Sequence, residues 1–174
     1  MIYDLYKELR GKHGQPQGQW GLWCHRPKTR SEREEVVIGS ILTQNTNWQN
    51  VEKAILELKR KKMLTLRKIA ISTVRKLAPL IKSAGFLNQK SGYLLNVSRY
   101  IVKNGGVDKI RQRELAELRQ ELLALKGIGP ETADSILLYA FDKPVFVIDE
   151  YTRRFVKRGK MTQKLDYHYL QKYF

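Results

Sequence analysis

The chain has one cysteine, Cys24, in 174 residues, so no disulfide can close within it. A four-cysteine zinc or iron–sulfur site cannot be assembled from this chain alone. The three histidines, His13, His25 and His168, show no metal-ligand spacing, and neighbours such as Cys24-His25 rarely converge on one ion, so no metal site is expected. Acidic residues are scarce. Against 33 Lys and Arg stand 17 Asp and Glu, giving a formal net charge of +16 and a pI near 10.0. Such a balance disfavours an enzyme of small anionic metabolites and favours a polyanionic partner, nucleic acid first. No apolar run approaches the ~20 residues of a membrane-spanning helix, and MIYDLYKELR lacks the apolar core of a signal peptide. A cytoplasmic protein is expected, nucleoid-associated in a prokaryote, with no membrane partner. Alternating strand patterns are missing too, apart from the short run Pro144–Ile148.

What the chain does contain is helical periodicity. Ile2, Leu5, Tyr6 and Leu9 predict a short helix ending at Gly11, and the Gly- and Pro-rich stretch 11–30 reads as an irregular segment carrying Trp20 and Trp23. Ser31-Glu32-Arg33-Glu34 has the capping-box pattern and opens a buried helix through Leu42. The polar cluster Thr43–Trp48 interrupts the pattern before Val51, Ala54, Ile55 and Leu58 resume it, which puts Gln44 and Asn45 at a helix–helix junction. Lys59-Arg60-Lys61-Lys62 closes that helix, either as a solvated surface or as a phosphate contact. Further helices are predicted around Val74–Ile81 ending at Gly85, after Asn88 to Gly105-Gly106, and over Leu115–Leu122. The fold class is all-α, a bundle of helices joined by short connections.

The stretch Leu122–Arg154 carries the chemistry. Gly127 and Gly129 bracket Ile128 in a turn where two glycines allow positive φ and close approach to a ligand, with Ile128 as its anchor. Pro130 suits the first position of the following helix, so turn amides and helix start together make a site for an anionic oxygen. A Gly-x-Gly before a helix can equally be a connector. The apolar run after it delivers Asp149, which can be a helix N-cap, a reactive carboxylate, or both.

Leu125-Lys126-Gly127-Ile128-Gly129-Pro130-Glu131-Thr132-Ala133 resembles the helix–hairpin–helix of the endonuclease III superfamily of DNA glycosylases, and Val147-Ile148-Asp149 falls where that superfamily carries its catalytic aspartate. Leu42-Thr43-Gln44-Asn45-Thr46 looks like the junction whose glutamine fills the gap left by an extruded base, and Gly85–Lys90 like the family's next turn. The resemblance implies a helix–hairpin–helix glycosylase fold: a central domain at 31–148, with the hairpin at 125–130, and a second helical lobe from 1–30 and 149–174. The last helix stops in mid-pattern at Phe174, so that lobe is expected to be incomplete at its C-terminus. Double-stranded DNA is the implied partner of a monomeric enzyme. Asp149 is the implied catalytic residue, and Gln44, Asn45, Lys126, Gly127, Ile128, Gly129, Glu131 and Thr132 are the implied DNA contacts.

Members that also cut the backbone carry a hairpin lysine as Schiff-base nucleophile; here that position is Glu131, and a carboxylate cannot form an imine. The expectation is a monofunctional glycosylase that uses water, with Lys126 and Lys143 as the nearest candidates for a displaced lysine. No iron–sulfur cofactor is expected, while a monovalent cation at the hairpin stays open. The hairpin glutamate, the lack of a cluster and Trp48 soon after Gln44 are similar to the 3-methyladenine DNA glycosylase III branch, in which aromatic side chains sandwich an alkylated base. By that likeness Trp48, then Trp20 and Trp23, line the base pocket, unless they serve the core. Two alternatives remain: a glycosylase/lyase or thymine/uracil mismatch glycosylase, and a helix–hairpin–helix module that only binds DNA.

Overall fold

The computed structural model describes residues 2–174, and every regular element among them is helical. In chain order these are α1 (Ile2–His13), α2 (Gln19–Cys24), α3 (Arg30–Leu42), α4 (Trp48–Arg60), α5 (Leu66–Ala70), α6 (Val74–Leu77), a 3₁₀ stretch (Ala78–Ala84), α7 (Leu87–Lys103), α8 (Val107–Ile110), α9 (Leu115–Leu123), α10 (Pro130–Ser135), a π-turn (Ile136–Ala140), α11 (Glu150–Arg158) and α12 (Tyr167–Tyr173). The chain divides into two compact units, Pro27–Val145 and a second made of Phe146–Phe174 with the residues up to Arg26, against the 31–148 split expected from the sequence.

The larger unit is built around α3, where Val36, Val37, Ile38, Gly39, Ser40, Ile41 and Leu42 are all buried. A helix apolar on every side belongs in a core. Its start differs from the expected capping box by two residues. Thr29 caps it, accepting from the Glu32 amide at 3.3 Å while the Glu32 carboxylate takes the Thr29 amide at 2.7 Å. Glu34, the glutamate of the expected box, instead accepts the Leu66 amide at 3.0 Å and Arg30 Nε at 3.1 Å. Both Thr29-x-x-Glu32 and Ser31-x-x-Glu34 satisfy the pattern; the long-range need of α5 for a carboxylate decides between them. α4 buries Val51, Ala54, Ile55 and Leu58, as its period requires. The helix expected over 74–85 is broken: Pro79 has no amide to continue it, and Ile81 (φ −111°, ψ 18°) leaves helical geometry. α5 and α8 are additional, too short to register as periodic runs.

The smaller unit has a compact core of Ile148, Val156, Tyr167 and Leu170, with Met161, Leu165 and Phe174 packed against it. Phe146 and Phe174 stack at 4.8 Å between centroids. α1 continues through Gly11 to His13, because one glycine costs an exposed helix only about 1 kcal/mol. The apolar position expected at Ile2 lies outside the described side chains, and Tyr6 and Leu9 are exposed. The segment expected to be irregular contains α2, which holds Trp20 and Trp23 edge-to-face at 5.6 Å. Pro144–Ile148 forms no strand.

Candidate functional site

One face of α7 packs on the turn at Lys126–Gly127. Gln89, Tyr93 and Asn96 recur at i, i+4 and i+7 and so share that face. Gln89 Nε2 donates to the Tyr93 hydroxyl at 2.7 Å, and Asn96 Nδ2 reaches the Lys126 carbonyl at 3.5 Å. The Tyr93 ring lies over the hairpin turn. A Cβ built on Gly127 would sit 2.0 Å from Tyr93 Cδ1, and Gly127 also has φ +92°, so both packing and backbone demand glycine there.

Gly129 differs from the sequence expectation. Its φ is −90° and ψ 176°, extended backbone that any residue adopts, and a Cβ there would meet nothing within 4 Å. Only Gly127 takes the positive φ expected of both glycines. Ile128 anchors the turn as expected, 5% exposed. Gly129 is the N-cap of α10 and offers no capping side chain. The two hairpin helices are tied by a bidentate ion pair, Arg119 Nε and Nη2 to the carboxylate of fully buried Asp134 at 2.7 and 3.0 Å. The Tyr100 hydroxyl and the Arg113 guanidinium both donate to Glu121, joining α7 to α9. Those two donors, Tyr100 first, hold the Glu121 carboxyl below the usual carboxylate range.

Gln44 sits in the turn between α3 and α4 and is bound to this hairpin. Its Nε2 donates to the Gly127 carbonyl at 2.9 Å and to Thr132 Oγ1 at 3.1 Å. Asn45 beside it is exposed with φ 51°, a left-handed conformation that Asn tolerates. Sequence reading missed Phe86, a large exposed aromatic (62%) with φ 45° at the N-cap of α7. The signal was an aromatic placed directly after a turn glycine. Glu131 is exposed in the first turn of α10 and Lys126 is exposed on the hairpin. Lys143 Nζ donates to the Arg113 carbonyl at 2.5 Å, an engagement away from the turn itself. In the basic run closing α4, Lys59 pairs with Glu35 at 2.9 Å and Arg60 with Glu57 at 2.7 Å, the arrangement of a solvated surface.

Asp149 belongs to the smaller unit and caps α11. Its Oδ1 accepts both the Thr152 amide at 2.7 Å and the Thr152 hydroxyl at 2.8 Å, which leaves Oδ2 for another partner. Trp20 and Trp23 lie in this unit, whereas Trp48 is the first residue of α4 in the other. Among the described residues no group of three or more His, Cys, Asp and Glu side chains is arranged to hold a metal ion.

A profile of HhH-GPD superfamily base excision DNA repair proteins matches residues 38–174. The chain belongs to that superfamily. It is a DNA glycosylase of the helix–hairpin–helix class with the all-helical fold of that class. A protein of Methanocaldococcus jannaschii assigned as a DNA repair glycosylase is 43% identical over 178 residues, covering 100% of this chain and 77% of that one. Endonuclease III of Thermotoga maritima is 31% identical over 138 residues, covering 76% of this chain and 60% of its own. Among solved structures, the H. pylori 3-methyladenine DNA glycosylase bound to 1,N6-ethenoadenine superposes with a TM-score of 0.81 at 33% identity, covering 99% of this chain and 78% of that one.

Proposed function

We propose that this glycosylase is monofunctional: it extrudes a damaged base, an alkylated purine, from duplex DNA and hydrolyses its N-glycosidic bond with water. The observation that carries this reading is the 33% identity over 99% of the chain to an enzyme whose structure holds an alkylated adenine. Extrusion costs a few kcal/mol of stacking and pairing. The hairpin supplies the phosphate grip through an open Gly129 and a helix start with no side-chain cap. Gln44, half-buried in the turn after α3, and Phe86, exposed at the start of α7, fill and wedge the gap. Asp149 stabilises the positive charge that builds on the sugar and orients water through the oxygen its cap leaves over. An exposed Glu131 stands where a lyase lysine would. A cationic base stacks on electron-rich rings and leaves without further protonation, which suits Trp48 and needs no general acid, whereas Trp23, 4% exposed, serves the core.

A second reading, a glycosylase with lyase activity, draws on the 31% identity to an endonuclease III. Duplexes bearing one lesion each (an N-alkylated purine, an oxidised pyrimidine, and thymine or uracil opposite guanine) separate the readings. The expected result is release of the alkylated purine first. Preference for the oxidised pyrimidine would overturn the substrate class, and binding without release from any lesion would leave only a DNA-binding module.

A further inference from the structure

Lys90 is among the largest fully buried side chains, 2% exposed, in a chain whose lysines otherwise face water with few exceptions. Its Nζ donates to the Leu42 carbonyl at 2.8 Å and to the Ala84 carbonyl at 2.7 Å. Leu42 is the last residue of α3, and Gln44 follows it by two; Ala84 is the last residue of the 3₁₀ stretch, and Phe86 follows it by two. Carbonyls at helix ends have no partner within their own helix, and they carry partial negative charge. One ammonium therefore bridges the ends of two helical segments just before the turns that carry Gln44 and Phe86.

An apolar residue of similar volume would fill this position with no charge to desolvate. What the lysine adds is a fixed separation between two chain ends. Both turns then place a non-glycine residue in the left-handed region, Asn45 at φ 51° and Phe86 at φ 45°. Such conformations persist only where the surroundings over-determine them.

We propose that Lys90 is a positioning residue for base extrusion, yoking the Gln44 and Phe86 turns at the spacing with which they enter the duplex together. This rests on the duplex-facing reading of those turns. Burial pushes the amine down to about 8, and a neutral amine still has two N–H donors for two carbonyls, so the yoke survives deprotonation.

The test compares single-turnover release of one alkylated purine from a fully paired duplex and from a duplex in which the lesion lies in a three-nucleotide bubble, already unstacked. Lys90→Met should lower the rate on the paired duplex at least tenfold more than on the bubble. Equal losses on both substrates, or no loss on either, would overturn the yoke. If Lys90→Met does not fold, Lys90→Gln is read in the same way. Rescue completes the test: Lys90→Cys on a Cys24→Ser background, aminoethylated in denaturant and refolded, rebuilds the amine and should restore the wild-type ratio of the two rates. A refolded, aminoethylated enzyme that keeps the mutant ratio contradicts the proposal. Failure of the wild type to release a base from either duplex sinks the glycosylase reading, and Lys90 with it, and so is distinct from failure of Lys90 alone.

Discussion

Two helix starts, at Gly129 and at Asp149, solve the same local problem in opposite ways. Each must deal with first-turn amides that have no partner inside the helix. At Asp149 the residue's own carboxylate closes the end, taking the Thr152 amide and hydroxyl on one oxygen. At Gly129 no side chain caps the helix, and the space where a Cβ would stand is open. The turn before Gly129 is nevertheless held from several sides, by Tyr93 over Gly127, Gln44 on the Gly127 carbonyl and the Arg119–Asp134 pair behind. A rigid turn with an uncapped end suits an oxygen that arrives from outside. A self-capped carboxylate is oriented before anything arrives, which is what electrostatic stabilisation of a developing charge requires.

This contrast can be broken most sharply at Asp149. Asparagine caps a helix about as well as aspartate, so Asp149→Asn should leave the melting temperature nearly unchanged while base release falls by about a thousandfold or more. DNA affinity should hold or improve, since a negative charge is removed. Asp149→Ala should lose the cap as well, at about 1 kcal/mol.

At the hairpin, the two glycines should part company. Gly127→Ala forces a methyl into the Tyr93 ring at a left-handed φ and should cost on the order of 3 kcal/mol in thermal or denaturant unfolding. Gly129→Ala should unfold like the wild type yet bind duplex roughly tenfold more weakly, by analogy with losing one good contact to a phosphate. Equal behaviour of the two variants would erase the distinction between a glycine kept for the fold and one kept for the ligand.

A pH-dependent stability effect concerns Lys90. Its folded-state pKa, lowered to about 8 by burial, lies below the ordinary lysine value, so the unfolded chain binds more protons between about pH 8 and 10.5. Stability attributable to this group therefore rises with pH across that window and is flat below it. The difference in unfolding free energy between wild type and Lys90→Met should follow that rise, approaching a few kcal/mol at the upper end.

Much of the fold is legible in the residues because the long helices carry strong periods, as α4 does with Val51, Ala54, Ile55 and Leu58. The hairpin is legible from its glycines and Pro130, and the cap at Asp149 from its residue type. What escaped depends on long-range partners. Glu34 was drawn from a local cap to the Leu66 amide, 32 residues away. The Gln44 side chain is fixed by groups 83 and 88 residues on. Lys90 escaped for a different reason: in a chain with 33 cationic residues, nothing local marks a lysine whose ammonium goes inward. Short helices such as α5 and α8 form because their neighbours bury Leu66, Ile69, Val107 and Ile110, and their own length gives no period to read.

The central claim, water-dependent excision with Glu131 in place of a lyase lysine, is tested most directly by strand scission on an alkylated-purine duplex, with and without hot alkali, and by a separate parallel reaction in borohydride that reads only adduct trapping. The expected result is base release at full rate, scission only after alkali, and no covalent adduct trapped between protein and DNA. Scission without alkali together with a borohydride-trapped adduct would contradict it.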